Sequence, residues 1–179
     1  MSLRGDGAAA APSGADARGS RAEWAALGRI LVAIDGSPWS ADAIELAVEM
    51  AAKHRSALTF VHVVPSLDVV PTCAVDGIGT AVPHQPAEHD HVLLADAAAV
   101  AAEHGVTAAT ALLGGQTVEE IVAYGEADGA DVIVVGSRGH GALASALLGS
   151  VSHGVLRTSS RPVLIVRGRT STTAPPPPG

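Results

Sequence analysis

Between about residue 28 and residue 168, short apolar runs alternate with longer amphipathic ones. RILVAID, Arg29 to Asp35, is almost continuously aliphatic and β-branched, the pattern of a strand buried on both faces. In GSPWSADAIELAVEMAAKH, which follows, Ile44, Ala47, Val48 and Ala51 share one helical face. Ser37 before Pro38 suits an N-cap followed by proline at the first helical position. ALTFVHVV, Ala57 to Val64, repeats the strand pattern. Residues from Pro65 to about Pro86 carry Pro, Gly and His without a period and read as a long loop.

The alternation then resumes. A helix is predicted from about Ala87 to Gly105, with Leu93 and Val100 among its alanines, and a third strand over Val106 to Leu113. Thr117-x-x-Glu120 has the form of a capping box ahead of Ile121, Val122 and Tyr124. ADVIVVG, Ala130 to Gly136, is a fourth strand. Leu148, Val151 and Val155 fall at helical spacing before PVLIVRG, Pro162 to Gly168, as a fifth. Parallel strands joined by helices imply a doubly wound, five-stranded parallel sheet in a three-layer α/β/α domain. Such a sheet takes its ligand beyond the carboxyl ends of its strands, where the winding reverses. The candidate stretches are therefore Asp35-Gly36-Ser37 and Gly136 to Gly141, just after the first and fourth strands.

Composition narrows the partner classes. The 179 residues include 47% hydrophobic and only 2% aromatic residues, so the core is aliphatic and single-stranded nucleic acid lacks its stacking platforms. A net charge of -7 with a single lysine, Lys53, argues against a phosphate-backbone partner. The lone cysteine, Cys73, excludes an internal disulfide and fits a reducing compartment. No apolar run reaches the roughly 18 residues of a membrane span, and the first residues lack the apolar segment of a secretory signal. The expectation is a cytoplasmic protein with neither membrane nor nucleic acid as partner. Its domain should span 28–168, between extensions at 1–27 and 169–179 that lack the periodicity of a core-forming element and read as disordered.

The stretch VVGSRGHGALASALLGS, Val134 to Ser150, is where chemistry concentrates. Glycines let backbone N–H groups approach a phosphate closely, a helix N-terminus adds unpaired donors, and Arg138 offers a planar fork. The loop has no lysine for a P-loop, and the first strand leads into DGSPWS instead of a dinucleotide fingerprint. Residue types alone leave two readings open, a phosphate cradle or a small-residue connection between strand and helix.

Here the sequence resembles the universal stress proteins, over roughly Arg29 to Arg167. ILVAIDGSPWSADAIELA looks like that family's first strand and helix, and FVHVV like its second strand. DVIVVGSRGHGALASALLGSVSHGVLRTSSRPVLIV looks like its C-terminal half. The nucleotide-binding branch carries G-x2-G-x9-G-[ST], and Gly136, Gly139, Gly149 and Ser150 match that spacing without a gap. The resemblance implies a strand order of 3-2-1-4-5 and an ATP site, with or without magnesium. Asp35 would lie near the adenosine, Val63 would read the adenine edge with its backbone, and Gly136, Arg138 and Gly139 would contact ribose and phosphates. Gly149, Ser150 and Val151 would hold the triphosphate end with N–H and hydroxyl groups. It also implies a homodimer through the last strand, Pro162 to Arg167, whose edge is otherwise open.

Single residues carry competing readings. Asp35 either contacts the nucleoside or caps the turn into the first helix. His84, His89 and His91, with Asp90, are poorly spaced for one rigid metal face, and a solvated loop and helix start accounts for them better. His62, inside an apolar strand, reads as a hydrogen-bonded core histidine. No serine sits in a nucleophile elbow, so no catalytic residue and no metal ligand is assigned. The expected function is an ATP-dependent regulatory or stress-response protein. A slow ATPase, a cyclic-AMP module using the same pocket and a nucleotide-free dimeric scaffold are the alternatives.

Overall fold

A computed structural model describes residues 27–64, 67–70, 80–83, 86–139 and 148–168. Its elements run β1 (Arg29–Ala33), α1 (Pro38–His54), β2 (Ala57–Val64), β3 (Leu67–Val70), β4 (Thr80–Pro83), α2 (Glu88–Glu103), β5 (Ala108–Gly114), α3 (Thr117–Ala127), β6 (Val132–Gly136), α4 (Ser150–Thr158) and β7 (Val163–Val166). The main sheet has five parallel strands in the order β5-β2-β1-β6-β7. Counting its members along the chain, this is the expected 3-2-1-4-5.

Strand alternation sorts the core into two layers. Ile30, Val32 and Ile34 of β1 and its exit, with Phe60 and Val134, pack against α1 and α2 residues such as Ile44, Val48 and Leu94. Leu31, Val61, Ile133 and Val135 face the other way, onto Ile121 and Val122 of α3 and Val155 of α4. Both faces of β1 and β6 are therefore apolar, which is why those strands read as continuous hydrophobic runs. The helical faces are largely alanine and valine, so helices settle close to the sheet without aromatic bulk.

The chain leaves β1 outward to β2 and β5, then returns to β6 and β7 on the opposite side. Ala33 pairs with Val135 in register, so the reversal brings Asp35 and Gly136 to one edge of the sheet. Among the described residues, no helix is long and apolar enough to cross a membrane.

Two local expectations need correction. The stretch between β2 and α2 contains an antiparallel pair, with Val70 opposite Thr80 and Leu67 opposite Pro83. Its proline and glycine content hid two four-residue strands that carry enough β-branched residues for a short ladder. Thr117 is the first residue of α3, not its cap. Gln116 is the cap and makes no side-chain capping bond, so the helix starts one residue earlier than the capping-box reading required. The extensions at 1–26 and 169–179, together with Cys73, His84 and Gly141, lie outside the described residues.

Candidate functional site

A cleft of about 310 Å³ opens beyond the carboxyl ends of β1, β2 and β6. The residues that the resemblance assigns to the nucleotide line it: Asp35, Val63, Gly136, Arg138, Gly139, Gly149, Ser150 and Val151. His62, Thr117 and Ser152 join them, over an apolar wall that includes Ala33, Ile34 and Val135.

At the lip, Asp35 leaves β1 into a tight turn in which Gly36 has φ 79°, a conformation glycine adopts without strain. Its Oδ1 accepts the Ser37 N–H at 3.0 Å, and its own N–H donates to Ser40 Oγ at 3.3 Å. Ser37 Oγ in turn accepts the Ser40 N–H at 3.2 Å, the expected N-cap. Asp35 thus caps the turn, as one of its two readings required, while its exposed carboxylate also borders the cleft.

The loop after β6 is held by main-chain proximity. A Cβ on Gly136 would lie 2.9 Å from both C and O of Trp39, so only glycine lets α1 come this near the sheet edge. A Cβ on Gly139 would lie 2.5 Å from Asp35 Oδ2, and one on Gly149 3.3 Å from Arg138 Cα. Gly136 is thus required by main-chain packing against α1, while Gly139 keeps clear of the Asp35 carboxylate and Gly149 closes tightly on Arg138.

Ser137 is the knot of that closure. Its N–H donates to Val166 O at 2.7 Å, and its carbonyl accepts both the Gly149 N–H at 2.8 Å and Ser152 Oγ at 3.1 Å. The Gly149 amide is thus committed to the protein itself, which corrects the expectation that it serves as a free donor to a ligand. The next three N–H groups, of Ser150, Val151 and Ser152, open α4 and have no acceptor within the helix. With the helix dipole, they make this the electropositive end of the cleft.

The opposite end is built from side chains. His62 Nδ1 lies 2.8 Å from Ile34 O and Nε2 3.0 Å from Asp90 Oδ1, so both ring nitrogens face acceptors. Asp90 is buried; its Oδ2 accepts the Ala87 N–H at 2.8 Å, and Oδ1 also meets Nε2 of exposed His89 at 3.0 Å. Burial alone would push the Asp90 carboxyl up, but the Ala87 N–H, the His62 bond and the charges of His89 and His62 hold it below its ordinary value.

His89 and His91 are exposed, as a solvated helix start requires, and Asp90 between them is the buried exception. The capping role of Asp90 was missed although its signal was present: an acidic residue three positions after the cap reaches back to the cap N–H. Among the described residues, no His, Cys, Asp and Glu cluster fits a metal ion. Trp39 was passed over as well, yet the Arg138 guanidinium stands over its ring, 5.7 Å from the centroid.

The sequence profile of the universal stress protein family matches residues 27–167. The universal stress protein YxiE of Bacillus subtilis strain 168 is 39% identical over 146 residues, covering 78% of this chain and 98% of that protein. Among solved structures, a universal stress protein in complex with cAMP has a TM-score of 0.59 at 28% identity, over 79% of this chain and 97% of the other. One from Archaeoglobus fulgidus in complex with dAMP has a TM-score of 0.56 at 19% identity, over 79% and 98%. That last likeness is one of fold alone.

Proposed function

The chain belongs to the universal stress protein family, and from that premise we propose that its cleft binds an adenine nucleotide, ATP foremost, whose occupancy regulates the protein. The observation that carries this reading is the convergence on one cleft of an apolar end and an electropositive helix start. The first suits a base: Val61, Val63, Ile121 and Val135 supply an apolar wall, and the Val63 main chain runs along it. The second suits phosphates, through the Ser150, Val151 and Ser152 amides, the Ser150 hydroxyl and Arg138. Gly136, Gly139 and Gly149 act by letting these groups come close.

The donor set favours binding over turnover. Asp35 is the carboxylate that borders the cleft, and one oxygen already accepts the Ser37 N–H. It can serve a magnesium ion as a single ligand, with the nucleotide's phosphates supplying others. A second reading, cyclic AMP in the same pocket, is favoured by the 28% identical structure that holds it. We further infer a homodimer through β7, a sheet-edge strand whose Val163, Leu164 and Ile165 stay only half-buried. We also infer a cytoplasmic location, with which the single cysteine, unable to form an internal disulfide, is compatible.

The test is mass-spectrometric identification of small molecules released from the purified, denatured protein, followed by calorimetric titration with ATP and with cyclic AMP. Stoichiometric adenine nucleotide is expected from the native sequence. Gly149→Asp should lose it, because the added side chain crowds Arg138 and sets a negative charge beside the phosphates. Tighter binding of cyclic AMP than of ATP would move the reading to the second ligand, and absence of binding to both would end it.

A further inference from the structure

Trp39 stands in the first turn of α1, directly after its initial proline, and lies outside the glycine-spaced motif. It is fixed from two sides. Its main-chain carbonyl abuts Gly136, and its ring abuts Gly168 just after β7, where a Cβ would lie 3.3 Å from Cδ1 and 3.4 Å from Nε1. The indole is thus a platform set between the end of the sheet and the start of α1.

The Arg138 guanidinium lies over this platform, 5.7 Å from the ring centroid, within the range of cation–π attraction. The Arg138 main chain is tied to the same place, since its carbonyl accepts the Ser37 hydroxyl at 3.4 Å. With its guanidinium over the ring, Arg138 also lines the cleft, where its N–H groups can meet an oxyanion. A long side chain otherwise loses considerable rotamer freedom when a ligand fixes it, and a platform removes part of that cost beforehand.

We propose that Trp39 is a positioning residue for the phosphate end of the cleft. It holds Arg138 in place, so that the affinity contributed by the phosphates depends on the indole while the affinity for the nucleoside does not. This rests on the adenine-nucleotide reading above. Trp39 touches neither base nor phosphate in this scheme and acts only through Arg138.

The experiment titrates adenosine and ATP separately into the full chain and into Trp39→Phe, Trp39→Leu, Arg138→Ala and the Arg138→Ala/Trp39→Leu double variant. Trp39→Leu should weaken ATP roughly two- to fivefold and leave adenosine unchanged, with Trp39→Phe in between because its π face is smaller. In the Arg138→Ala background the leucine substitution should add nothing. Equal weakening of adenosine and ATP, or additive losses in the double variant, would overturn the role assigned to Trp39. If the leucine variant does not fold, Trp39→Phe decides: a lowered ATP-to-adenosine affinity ratio supports the proposal and an unchanged ratio overturns it. A native chain that binds neither ligand overturns the nucleotide reading and this proposal together. Binding of both at the same ratio in every variant removes only the latter.

Discussion

The two ends of the cleft are made of different material. The apolar end rests on side chains: β1, β2 and β6 supply its wall, and a buried His62–Asp90 pair pins β2 to the start of α2. The electropositive end rests on the main chain. There, glycines let α1, the 137–139 stretch and α4 touch, and Ser137 with Ser152 ties the contact. Side-chain construction concentrates stability in a few buried polar atoms. Main-chain construction spreads it over many close approaches, leaving amides available to a ligand. Substitutions at the two ends should therefore fail in different ways.

The largest effect is expected at Asp90. Asp90→Ala leaves His62 Nε2 without its partner and the Ala87 N–H unsatisfied in a buried setting. Breaking one side of a buried pair costs about 3 kcal/mol, which urea unfolding will measure. Asp90→Asn should cost only about 1 kcal/mol, because its amide oxygen still reaches the Ala87 N–H and its NH2 can donate to a singly protonated His62. Equal losses in the two variants would mean that the shape of the residue, and not its hydrogen bonding, secures this end.

The difference between the ends also explains what could be read from the chain. Hydrophobic runs located every strand of the main sheet, most clearly β1, β2 and β6, whose two faces are both covered by helices and therefore read as continuous apolar stretches. The glycine spacing located the loop, because close main-chain approaches tolerate few other residues. Asp90 escaped because its neighbours His89 and His91 suggested solvent or metal, and only the fold brings β2 beside it. Trp39 escaped for a similar reason: a tryptophan in a helix's first turn becomes informative only once Arg138, 99 positions later in the sequence, is seen above it. The short β3–β4 pair lay under a composition that usually marks irregular chain.

A smaller effect is expected at the main-chain end. Ser152 is buried, and its hydroxyl reaches the carbonyls of Ser137 at 3.1 Å and Gly149 at 3.0 Å. Ser152→Ala removes that link while the Gly149 N–H bond to Ser137 remains. The expected loss is about 1 kcal/mol in unfolding free energy. The signature that separates it from Asp90→Ala is functional. ATP affinity should fall while adenosine affinity holds, since the apolar wall is untouched. A matching fall in adenosine affinity would show that the two ends are mechanically one.

The smallest effect, and the finest division between the ends, lies in acid. The folded state holds the Asp90 carboxyl below the ordinary aspartate value of 3.8. The unfolded chain therefore binds the proton first as pH falls. The stabilisation from this group is whole above that ordinary value, and it disappears as pH drops through the lower folded value. Urea midpoints of the native sequence should accordingly decline more steeply below about pH 4 than those of Asp90→Asn, which has no carboxyl to protonate there. Ser152→Ala should follow the native acid profile, displaced to lower stability throughout, because the bonds it removes join a hydroxyl to carbonyls and carry no titrating proton. An Asp90→Asn profile parallel to the native one would mean that the His62–Asp90 contact contributes shape without charge, and the contrast between a charged and an uncharged end of the cleft would go with it.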